Sequence, residues 1–136
     1  MVADEKAYLG MAQPESKLSR AIKAMIRARG GYCVKIHGSA MMEAGTPDIL
    51  ACIPVDLLSP HHDPVTGQTM QIRTRIGRFV GIETKMPSGG DPSPIQKYRH
   101  GQIIGASGVV IVPRSVQEAV QTLEALGMVT APDEPS

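Results

Sequence analysis

The chain contains no tryptophan and one phenylalanine, and aromatic residues make up 3% of its 136 positions. Any core must therefore be built from aliphatic side chains, alanine and methionine. Cysteines number two, Cys33 and Cys52, and both sit inside apolar runs. That pattern excludes a disulfide framework and favours a pair of buried structural thiols over ligands or nucleophiles. No stretch approaches the roughly 18–20 consecutive apolar residues that a membrane span needs. Met1 to Gln13 is polar and lacks an apolar signal-peptide core, so a cytoplasmic protein with no membrane partner is expected. A Gly-rich phosphate loop is missing too, which removes the motif basis for a small-molecule phosphohydrolase or an organic cofactor.

Charge of one sign is also scarce, since the formal net charge is +1. Its distribution is uneven: residues 15–35 carry net +5, residues 71–105 carry net +4, and the remainder is acidic. Two basic zones around a few carboxylates suit a polyanionic substrate, although each zone also reads as an ordinary solvated face. Hydrophobic residues at 42% support one packed domain and leave no length for a second.

Punctuation by Gly and Pro divides the chain. Residues 1–13 and 130–136 read as flexible tails around a single domain spanning 14–129. A helix is expected from Pro14, with Leu18, Ile22, Met25 and Ile26 on its inward face and Gly30-Gly31 as its stop. Tyr32 to Ile36 predicts a strand whose apolar face is Val34 and Ile36. Thr46 to Pro54 predicts a second strand and Gly77 to Lys85 a third. Between these two, residues 55–76 predict an irregular insertion or a hairpin, with His61, His62 and Asp63 in an exposed loop rather than a transition-metal site. A helix from Pro94 to about Ala106 follows, placing Ile95, Arg99 or Tyr98, Gln102 and Ile103 on related faces. A short strand after Gly108 and a Ser115-capped helix, with Val116, Val120, Leu123 and Leu126 inward, complete the domain. The order αβββαβα makes an α/β fold, a mixed central sheet flanked by helices.

Charge occurs where buried strands should have none. Asp48 opens the second strand, and Glu83 and Lys85 close the third. Alternation puts Glu83 and Lys85 on one face and Thr84 on the other. Two carboxylates and an ammonium converging at strand ends form a site for a hard cation, Mg²⁺ or Mn²⁺. Each residue has a plainer reading: Asp48 after Pro47 as a turn residue, and Glu83 with Lys85 as a surface salt bridge. Glu15 lies on the inward stripe of the first helix, where it either complements the helix dipole or reaches the carboxylates. Arg73, Arg75 and Arg78 are candidates for touching phosphates.

Pro47-Asp48 followed by Glu83-Thr84-Lys85 resembles the Pro-Asp…(Asp/Glu)-X-Lys signature of restriction-endonuclease-like nucleases. Together with the Glu15 helix, the Gly45 to Leu50 run, the Gly77 to Lys85 run and Ser93-Pro94-Ile95-Gln96, the chain is similar to the VRR-NUC (virus-type replication-repair nuclease) group from about Pro14 to Leu126. The segment 55–76 departs from that group by being longer. The resemblance implies a restriction-endonuclease-like core and a metal-dependent endonuclease acting on DNA, with structured or branched DNA favoured. It implies that Asp48, Glu83 and the Thr84 carbonyl hold Mg²⁺ or Mn²⁺, with Glu15 as an outer or second-metal ligand. Lys85 would then orient or deprotonate the attacking water and stabilise the developing charge, and Gln96 would position Lys85 or a phosphate oxygen. Lys97, Tyr98 and Arg99 would track the backbone of the substrate, with packing as the other reading of Tyr98. A homodimer is expected in a bacterial or phage-infected cell. The alternative is a non-catalytic nucleic-acid-binding or assembly module that keeps the fold, which the near-neutral charge favours.

Overall fold

In a computed structural model, residues 14–36, 43–86 and 90–128 are described. Among the described residues, three helices and a four-stranded mixed sheet make a mixed α/β fold. Helix α1 is Pro14–Ala28, strand β1 is Tyr32–Lys35, β2 is Ile49–His62 and β3 is Thr69–Ile82. Helix α2 (Pro94–Gly105), strand β4 (Val109–Ile111) and helix α3 (Val116–Ala125) follow.

The sheet order is β1-β2-β3-β4. The first three strands meander antiparallel, and β4 joins β3 in parallel after the α2 crossover. Parallel pairing requires such a crossover because two parallel strands cannot be joined by a tight turn. Helices α1 and α3 pack together over one face, where Ile22, Ile26, Ala119 and Leu123 meet Ile49, Ala51, Ile53, Val80 and Ile82. Successive residues on β2 alternate between this core and the opposite face, so Ile49, Ala51, Ile53 and Val55 share the buried side, as the pleat demands. Burying an isoleucine such as Ile22 or Ile53 contributes about 1.5–3 kcal/mol.

Helix α2 covers the other face. A side chain on Gly81 would lie 2.9 Å from Pro47 and 3.3 Å from Ile103, so glycine at this position lets the helix and the Pro47 turn come down onto the sheet. Gly45 takes a left-handed backbone (φ 85°), and a Cβ there would meet the Ile95 carbonyl at 2.5 Å. The turn that delivers Asp48 is thereby seated against the start of α2.

Segment 55–76 is regular: β2 and β3 continue through it as one long ribbon, from Ile49↔Ile82 out to His62↔Thr69. His61 and His62 consequently lie on a strand, not in a loop. The ribbon closes in a turn where Asp63 Oδ1 accepts from the Val65 amide at 2.8 Å and Gly67 is left-handed at φ 74°. Beyond Val55 the helices no longer cover the ribbon, and Leu57, Leu58, Met70 and Ile72 are exposed.

Several expected faces are corrected. On β1 the buried residue is Cys33, while Val34 and Ile36 are half-buried. Lys35 Nζ donates to Ser19 Oγ of α1 at 3.2 Å, so Cys33 and Lys35 form the covered side. Cys52 is exposed rather than buried, because it alternates with core residues Ala51 and Ile53. In α3 the buried pair is Ala119 and Leu123, and Leu126 is exposed at the helix end. In α2 Ile95 is exposed, and the inward stripe is Gln96, His100 and Ile103.

Candidate active site

Register brings the predicted residues together. Ile49 pairs with Ile82, so Asp48 and Glu83 lie one step beyond the same rung. Asp48 is fixed from two sides. Its carbonyl accepts from the Ile36 amide at 2.7 Å. Its Oδ2 accepts from the Thr84 amide at 3.0 Å and from Thr84 Oγ1 at 2.7 Å. A carboxylate holding a backbone N–H and a hydroxyl across a strand mouth forms charge-assisted bonds, among the stronger hydrogen bonds in proteins. Asp48 is therefore tied to the end of β3 by tertiary bonds, not merely placed in a local turn.

Past Ile82 the chain stays extended. The Glu83 amide donates to the Ile111 carbonyl at 3.0 Å and the Lys85 amide to the Pro113 carbonyl at 3.2 Å. This parallel continuation points Glu83 and Lys85 toward α2. Glu83 is 3% exposed, which removes the reading of an exposed surface salt bridge. Its Oε1 lies 3.7 Å from His100 Nε2. Burial first, and the nearby Lys85 ammonium second, hold the His100 imidazole below its ordinary pKa. Both effects disfavour a charge on the ring that faces Glu83. His100 Nε2 is buried and makes no hydrogen bond among the described residues, which leaves one polar atom facing the carboxylate with capacity for a further ligand.

Lys85 Nζ donates to Gln96 Oε1 at 3.4 Å. Gln96 is held by the start of its own helix. Ser93 Oγ accepts from the Gln96 amide at 3.3 Å while Gln96 Oε1 accepts from the Ser93 amide at 2.8 Å. This reciprocal capping box fixes the glutamine side chain. The oxygen that caps the helix is the one that meets Lys85, so a local folding signal also sets the position of the ammonium.

His100 was not singled out by sequence reasoning. It follows Gln96 by four residues on one helix, so the two share a face; that spacing was the available signal. Glu15 lies in the first turn of α1, on the stripe continued by Ser19 and Ile22, and its side chain falls outside the described atoms. Thr84 reaches Asp48 through its amide and hydroxyl.

The arginines go elsewhere. Arg73 Nε is 3.7 Å and Arg75 Nε 3.3 Å from the carboxylate of Asp56. Arg75 precedes Glu83 by eight residues on an extended chain, a separation of about 27 Å. Arg78 is half-buried on the helix-covered side of β3. Arg99 donates from Nε to the Ala44 carbonyl at 2.9 Å and lies 3.2 Å from Glu43, which pins the Gly45–Asp48 turn to α2. Lys97 is exposed. Of the five, Arg99 acts on the site by holding its loop.

Among the described residues, no group of three or more His, Cys, Asp or Glu is placed to hold a metal ion. The two carboxylates and the carbonyl expected to bind one form an all-oxygen set, which suits a hard cation rather than zinc or copper. No helix among the described residues is long and apolar enough to cross a membrane. No family model matches the chain. No curated protein and no solved structure matches it either.

Proposed function

We propose that the protein is a metal-dependent phosphodiesterase that cuts DNA strands, built on a restriction-endonuclease-like core of the VRR-NUC type. The observation that carries the reading is the meeting of Asp48, Glu83 and Lys85 at one sheet end, with Lys85 held by Gln96. A buried carboxylate, a second carboxylate locked across the strand mouth and a positioned ammonium have no evident use as packing.

Asp48 and Glu83, with the Thr84 carbonyl, would hold Mg²⁺ or Mn²⁺. When bound, such a cation lowers the pKa of its water and draws charge from the attacked phosphate. The protein's own groups do the rest. Thr84 orients the Asp48 carboxylate through two bonds. Lys85, fixed by Gln96, stands where it can orient the attacking water or meet charge developing on the phosphate. His100, its charged form disfavoured, can hold a proton-bearing or accepting nitrogen against Glu83. Branched or flapped DNA and a homodimeric state belong to the same proposal.

The alternative is a nucleic-acid-binding or assembly module without turnover, favoured by the formal net charge of +1, since little excess charge holds DNA weakly at physiological salt. Cleavage of labelled single-stranded, duplex, flap and four-way-junction DNA, in Mg²⁺, Mn²⁺ or EDTA, separates the two. Products should form only with metal and fall on the order of 10²–10³-fold in Asp48→Asn and Lys85→Ala. Binding without cleavage in every metal would leave the module.

A further inference from the structure

Two cavities adjoin on the side of the fold where α1 faces the start of α3. One of about 290 Å³ is lined by Lys17, Arg20 and Ala21. The other, about 270 Å³, is again lined by Lys17 and Ala21, and also by Lys85, Arg114 and Val116. The shared residues make them one groove. Lys85, whose ammonium meets Gln96 in the candidate site, also lines the second cavity, so the groove borders that site.

The groove has a definite chemistry. Lys17, Arg20, Ala21 and Ala24 stand at i, i+3, i+4 and i+7, one stripe along α1 beside the buried stripe of Ile22 and Ile26. Two cations are thus followed by two alanines along its wall. The described residues lining the two cavities include four cations, Lys17, Arg20, Lys85 and Arg114, and no carboxylate. Arg114 donates to the Met86 carbonyl at 2.7 Å and to the Gly90 carbonyl at 3.4 Å, so its guanidinium is oriented before any ligand arrives. None of the described residues that line the two cavities is aromatic.

We infer that this groove binds the sugar–phosphate backbone of one nucleic-acid strand, with Lys17, Arg20 and Arg114 on phosphates and the alanine and valine surfaces against the sugars, and that it feeds the strand to Lys85. The inference rests on the nuclease reading for its destination, but its binding chemistry stands on the groove. Recognition is of the backbone and independent of sequence. The phosphate contacts expected of Arg73 and Arg75 are thereby reassigned to α1 and Arg114.

The test is fluorescence anisotropy of a labelled single-stranded DNA oligonucleotide with the full chain in EDTA, at several KCl concentrations. The doubly substituted Lys17→Ala/Arg20→Ala should bind about tenfold more weakly, equally for different sequences, and its salt slope should fall by about 1.4. Arg29→Gln removes a charge just past the end of the same helix, outside the groove, where Arg29 pairs with Glu124, and should change affinity less than twofold. Circular dichroism verifies that each variant is folded; because Lys17 and Arg20 are exposed, both substitutions should leave the spectrum unchanged. Wild-type affinity and salt slope in the double variant, or an equal loss in Arg29→Gln, would overturn the groove. Metal-dependent cleavage of the same DNA separates the two claims. Groove-dependent binding without any cleavage would uphold the groove and remove the nuclease. Cleavage lost in Asp48→Asn, beside unchanged binding in the double variant, would do the reverse.

Discussion

The same two strands, β2 and β3, make two very different places. At their helix-covered end, Asp48, Glu83 and Thr84 are polar groups drawn into bonds across the sheet mouth, and Glu83 is 3% exposed. At the other end the ribbon carries Leu58 at 62%, Met70 at 59% and Val65 at 91% exposure. Polar groups are inside at one end and apolar groups outside at the other, the inverse of what hydrophobic sorting alone would produce. Backbone pairing is continuous between them, so the ladder cannot account for the difference. What differs is cover: three helices meet around the mouth, and none reaches the ribbon. Chemistry on these strands is therefore set by what packs against them.

That contrast can be broken by matched substitutions at the two ends. Ile53→Ala, in the covered part of β2, should cost about 2–5 kcal/mol in urea unfolding. Met70→Ala, on the ribbon, should stay within about 0.5 kcal/mol. Equal losses would mean that the ribbon is covered in solution. Next in size, Thr84→Val removes a hydroxyl bonded to the Asp48 carboxylate and should cost about 1.5–3 kcal/mol. Thr74→Val, exposed on the same strand, should be nearly neutral. If Thr84→Val is equally neutral, the Asp48 bond contributes nothing net.

Much of this was legible because Gly and Pro mark the joints. Pro14, Gly30, Ser93-Pro94, Ser115 and Gly127 bound the helices where the residues alone placed them, and the order of elements follows. Which face of an element is covered was less legible. Val34 and Ile36 are more apolar than Cys33 and Lys35, yet α1 lies over the latter pair, and nothing within a four-residue strand reveals its neighbour. Ile95 and Leu126 were similarly misjudged by hydropathy, since helix ends project past the sheet. Asp48, Glu83 and Lys85 could be read as a group because strand ends are local patterns, and Gln96 joined them only through the family resemblance. His100 needed the packing of α2 to give it a role, and Arg99 needed the Gly45 turn. The cations of the groove were visible only as a count of positive charge.

Two smaller effects sharpen the comparison. Burial raises the Cys33 thiol above its ordinary pKa, with Arg27 and Lys23 opposing, whereas Cys52 is exposed. A thiol reagent should modify Cys52 in the native protein and reach Cys33 only in denaturant; fast native labelling of both would show that α1 opens readily. Smallest is the turn at the ribbon tip. The Val65 amide, and then Thr66, hold the Asp63 carboxyl below its ordinary value. With the folded value depressed, the stabilisation is present above the unfolded pKa and is lost as pH falls through the folded one. The exchange protection of the Val65 amide should fall in that acid range and should lose its pH step in Asp63→Asn, while the Glu83 amide, bonded to the Ile111 carbonyl, serves as the control without a carboxylate acceptor.

The ladder running from Ile49↔Ile82 to His62↔Thr69 also acts as a ruler. Because the pleat repeats every two residues, removing one residue from a single strand would turn every later side chain to the wrong face and take Asp48 off Thr84. Removing one from each strand, at opposed positions, would shorten the ribbon and leave that alignment intact. Length is thus a free variable in this part of the chain and parity is not. Lineages carrying this hairpin can lengthen or trim it in matched steps while the chemistry at its root stays in place.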